Sequence, residues 1–142
     1  MIKDIVVNLS TREDGGVVGD YAVSVADTLG AHIAGIAFVF DPIVPISGTG
    51  YIPAEVIETQ LSDNQAAAKA AIDRFAATTA RTGVSAEPIT LSASAAGAGD
   101  QFARIARRFD LAIVPQAEPQ GNEVEACARR LFSGAVRCLH GH

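Results

Sequence analysis

The segment His32-Ile33-Ala34-Gly35-Ile36-Ala37-Phe38-Val39-Phe40 is nearly apolar along its whole length. A pleated strand sends alternate side chains to opposite faces, so a run of this kind has no face to give to water. It needs cover on both sides, which is the situation of a strand inside a parallel sheet with helices above and below. The rest of the chain supplies the other layers. Ile5 to Leu9 is a second compact β-branched run, closed by a polar turn from Ser10 to Gly16. Glu87 to Ser92 reads as a further strand, with Pro88 placing it at an edge, and Asp110 to Pro115 as another. A terminal run, Ala135 to His140, reads as the last.

Between these runs the apolar period changes from two to about 3.6. Val18, Tyr21, Ala22, Val25 and Leu29 recur at helical spacing, and Gly30 supplies a stop. After the Pro- and Gly-rich stretch from Asp41 to Pro53, a long helix is expected with the stripe Ile57, Leu61, Ala68, Ile72, Phe75 and Thr79, ended by Gly83. Asp100 can cap a helix whose core face is Phe102, Ile105, Ala106 and Phe109, and a final helix is expected from about Asn122 to Phe132. Strands and helices alternating in this way predict a doubly wound α/β domain with right-handed crossovers. The expected domain spans residues 1–142.

Composition bounds the function. The 142 residues are 49% hydrophobic and 19% charged, a globular balance. A net charge of −5 argues against nucleic acid or an anionic membrane as partner. Arg104, Arg107 and Arg108 share a short helix, where a solvated face is the plain reading. No apolar run reaches the roughly 18 residues of a membrane-crossing helix, and Met1 to Ile5 has no signal-peptide layout. Cys127 and Cys138, the two cysteines, form no CxxC pair. A reducing cytoplasm is the expected location.

Catalysis is not expected. A nucleophile needs a neighbouring base, and the three histidines are His32 at a strand start and His140 and His142 in the tail. No GxSxG elbow occurs, and Cys127 falls within the expected last helix as a small hydrophobe. His140, His142 and Cys138 make a tail cluster with no supporting shell, so no metal site is expected. The loop after the fourth strand is different. Gly121 and Gly134 would let backbone N–H groups close on phosphate oxygens, but Val124 and Ala135 stand where a further glycine and a hydroxyl would help.

The opening Lys3-Asp4-Ile5-Val6-Val7-Asn8-Leu9-Ser10, the strand Ile33 to Phe40 and the run Asp110-Leu111-Ala112-Ile113-Val114 resemble the universal stress protein family. The resemblance covers nearly the whole chain. It implies a flavodoxin-like, five-stranded parallel sheet of order 3-2-1-4-5 with helices on both faces, and a homodimer. The family's ATP-binding branch carries an Asp at the end of the first strand and Gly-x2-Gly-x9-Gly-Ser/Thr after the fourth. This chain has Ser10, Val124 and Ala135 at three of those positions and keeps Gly121 and Gly134. A Ser cannot accept the two ribose hydroxyl bonds that a carboxylate can. The resemblance therefore implies a non-catalytic regulatory domain acting through dimerisation and protein association, with no cofactor.

The alternative is a sensor that binds ATP or AMP in the sheet-top crevice, where strand order reverses. Its candidate residues are Leu9, Ser10, Val39, Phe40, Asp41, Pro115, Gln116, Gly121 and Gly134. For Asp41, followed by Pro42, a turn initiator is the plainer reading.

Overall fold

The computed structural model describes residues 1–9, 16–42, 53–115 and 138–141. Its elements are β1 (Asp4–Leu9), α1 (Gly16–Leu29), β2 (His32–Phe40), α2 (Ala54–Thr82), β3 (Ala86–Ala93), α3 (Ala98–Ala106), β4 (Leu111–Pro115) and β5 (Cys138–Gly141). The domain is α/β, with a parallel sheet ordered β3-β2-β1-β4 and the short β5 lying parallel beyond β4. The expected helix at 122–132 lies outside the described residues. So does the 135–137 part of the expected terminal strand, whose described portion is Cys138–Gly141.

The apolar run His32–Phe40 forms β2, an interior strand of the sheet between β3 and β1. Seven of the nine residues of β2 are buried, and only its two ends reach intermediate exposure. Its odd-numbered residues Ile33, Ala37 and Val39 join Ile5, Val7 and Leu9 of β1 under α1 and α2. Its even-numbered residues Ala34, Ile36 and Phe38 join Val6, Ala112 and Val114 against Phe102 and Ala106 of α3. Two cores, one on each face, explain why the strand can be apolar on both sides. β3 is an outer strand, and Pro88, which has no N–H to offer, is exposed on it.

The helix phases differ from expectation in three places. In α1 Val18, Gly19, Ala22, Val23 and Ala26 are buried, whereas Tyr21 and Leu29 are exposed. Gly19 packs against the end of β1, where a Cβ would meet Leu9 Cδ2 at 3.4 Å, an ordinary van der Waals contact. In α2 burial falls on Ala68, Ala71, Phe75 and Thr79; Ile72 is half-buried and Leu61 is exposed. In α3 the helix starts at Ala98, so Asp100 lies in the first turn and does not cap. The turn is closed by Ser94, whose Oγ accepts the Gly97 N–H at 3.0 Å. Phe102 and Ala106 are buried there, and Ile105 and Phe109 are half-buried.

Helix α2 runs antiparallel to β2 in a defined register. Asn64 Nδ2 donates to the Phe40 carbonyl at 2.8 Å, and the Phe75 ring lies over Gly35. From Asn64 to Phe75 is about 16 Å of helix, and from Phe40 back to Gly35 is about 16 Å of strand. The two spacings agree, so the C-terminal half of α2 follows β2 without slippage. Gly83 ends the helix at φ 73°, its N–H donating to the Thr79 carbonyl at 2.9 Å.

Candidate functional site

The order of the strands places the candidate site. The chain moves from β1 out to β3 on one side, then returns through α3 to β4 on the other side of β1. α1 and α2 cover one face and α3 the other. The reversal lies between β1 and β4, and the crevice is at their carboxyl ends.

Registers give that crevice its shape. Leu9, at the end of β1, pairs with Ala37, while β2 continues to Phe40 beside Ala93 of β3. Val7 pairs with Ile113, so the ends of β1 and β4 at Leu9 and Pro115 stand at one level. The β2–β3 ribbon thus rises about 10 Å above them as a side wall. The Asp41 N–H donates to the Ala93 carbonyl at 3.0 Å and carries the wall one residue further.

Five of the nine candidate residues can be placed. Leu9 and Val39 lie at the right strand ends, but their side chains are buried in the core beneath α1 and α2. Phe40 is half-buried and packs toward the α3 side, its ring centroid 6.3 Å from that of Phe38. Asp41 is exposed and Pro115 half-buried at the rim. Ser10, Gln116, Gly121 and Gly134 lie outside the described residues, as do Val124 and Ala135. The described candidates therefore share one end of the sheet; Leu9 and Val39 turn into the core, and Asp41 is the one charged side chain among these five.

Sequence reasoning missed Asn64. The signal was present: Asn64 falls on the stripe formed by Ile57, Leu61 and Ala68, where a polar residue needs a buried partner. It finds the Phe40 carbonyl. Also missed was the sign of the rim. Among the described residues at this end, Asp41, Glu55, Glu58, Asp63 and Asp100 are acidic and none is Lys or Arg. The first base along α2 is Lys69, below Asn64, and its Nζ is 2.8 Å from Asp73 Oδ2. Lys3, Arg81, Arg104, Arg107 and Arg108 all lie toward the amino ends of the strands.

Among the described residues no group of three or more His, Cys, Asp or Glu side chains is arranged to hold a metal. No described helix is long and apolar enough to cross a membrane. At the opposite edge of the sheet His32 Nδ1 lies 2.9 Å from Ser85 Oγ and its Nε2 4.0 Å from Glu87 Oε2. That cluster joins β2 to β3 across an open surface, far from the crevice.

Solved structures share this architecture throughout. A universal stress protein from Lactobacillus plantarum superposes with a TM-score of 0.73 at 15% identity, covering 99% of this chain and 98% of that one. The chain has the universal stress protein fold. A second match, from Archaeoglobus fulgidus and solved in complex with dAMP, has a TM-score of 0.63 at 15% identity and covers 100% of both chains. A third, an Arabidopsis thaliana family protein with AMP bound, has a TM-score of 0.65 at 11% identity, covering 97% of this chain and 90% of that one. No sequence-family model and no curated protein sequence matches the chain. The universal stress protein likeness is one of fold, carried by the strand order and the two-faced core.

Proposed function

We propose that this chain is a non-catalytic regulatory domain of universal stress protein type, working in the cytoplasm through dimerisation and association with a protein partner. The observation that carries this reading is at the end of β1. The strand stops at Leu9, and the next residue is Ser10, where the ATP-binding branch has a carboxylate for the ribose. Ser10 offers one hydroxyl in its place. Val124 and Ala135 depart from the phosphate loop in the same direction. In this reading the sheet is the full flavodoxin-like five-strand array, β5 is its outer edge, and that edge forms the dimer contact.

A second reading has its own support. Neighbours of the same fold hold dAMP and AMP. A nucleoside monophosphate sensor would use the backbone of Leu9, Val39 and Phe40 with Asp41, Pro115 and the loop residues named above.

A thermal-shift titration with millimolar ATP, ADP and AMP separates the two. A ligand present at 100 times its dissociation constant stabilises the folded state by about 2.7 kcal/mol, or several degrees. The regulatory reading expects no shift with any of the three. A reproducible rise with AMP alone establishes the sensor, and one with ATP overturns the argument from Ser10.

A further inference from the structure

We draw no further inference here: the strongest candidate, the cluster of His32, Ser85 and Glu87 that joins β2 to β3 at the amino end of the sheet, lies on an open surface with His32 Nε2 4.0 Å from Glu87 Oε2 and, among the described residues, no third metal-ligating side chain placed to complete a site, so it ties the two strands together and selects no ligand.

Discussion

Phe75 lies so close over Gly35 that a Cβ on the glycine would be 2.7 Å from Phe75 Cε1 and 2.9 Å from Cδ1 and Cζ. The contact joins α2 to the middle of the sheet, and both partners are needed for it. Gly35→Ala should destabilise by about 1–3 kcal/mol through overpacking. Phe75→Ala should cost about 3–5 kcal/mol, because the ring is 2% exposed and leaves a cavity. The double variant should cost clearly less than the sum, since the added methyl then enters the vacated space. Urea denaturation of the four proteins measures this, and strict additivity would show that the two residues do not touch.

A second relationship fixes the start of the sheet. Asp110, just before β4, accepts N–H bonds from Lys3 at 2.9 Å and Asp4 at 3.1 Å through Oδ2. Those backbone donors, Lys3 first and Asp4 next, hold its carboxyl below the usual range. A folded-state pKa below the unfolded one gives stabilisation present above about pH 4 and lost as pH falls through the folded value. Asp110→Asn should therefore lower the melting temperature at pH 7, with the gap to the parent chain closing below about pH 4. A gap that stays constant down to pH 3 would show that the charge is not responsible.

These two contacts also show what sequence could and could not reveal. The two-faced burial of β2 was legible, because a run apolar at both odd and even positions admits one environment. The buried stretch of α2 was largely legible: Ala68, Phe75 and Thr79 were in the expected stripe and Ala71 was not, while Leu61 was assigned to a core that ends at Asn64. Periodicity tells which face is apolar and not where the sheet beneath it stops. Asp110 read as the first residue of a strand because its partners lie more than a hundred positions away, and no local pattern announces them. At the crevice, Leu9, Val39, Phe40 and Pro115 were identified as strand ends from order alone. That Leu9 and Val39 turn into the core depended on register, which a single sequence does not carry.

Dimerisation is expected through the β5 edge. The opposite edge strand, β3, carries exposed Pro88, which weakens it as a pairing template. β5 pairs with β4 from Ala112–Cys138 to Pro115–Gly141 and is the outer strand of the described sheet, the edge expected to meet a second copy across a two-fold axis. Light scattering should give a dimer for the full chain at tens of micromolar and a monomer for a chain ending at Ser133. A full-length monomer, or a truncated chain that still dimerises, would remove β5 as the contact.

The strongest check on the regulatory reading is to restore what the sequence lacks. Ser10→Asp, Val124→Gly and Ala135→Ser together rebuild the pattern that the ATP-binding branch carries, alongside the existing Gly121 and Gly134. Each change has its own role: a carboxylate for ribose hydroxyls, room for backbone to approach phosphate, and a hydroxyl donor. The acidic rim stays, so any binding gained should be weak and should strengthen when Asp41→Asn removes one like charge. By isothermal titration the parent chain should give no heat with ATP, the triple variant a measurable one, and the quadruple variant a tighter one. Binding by the parent chain as strong as by the triple variant would mean that Ser10, Val124 and Ala135 never disabled the site.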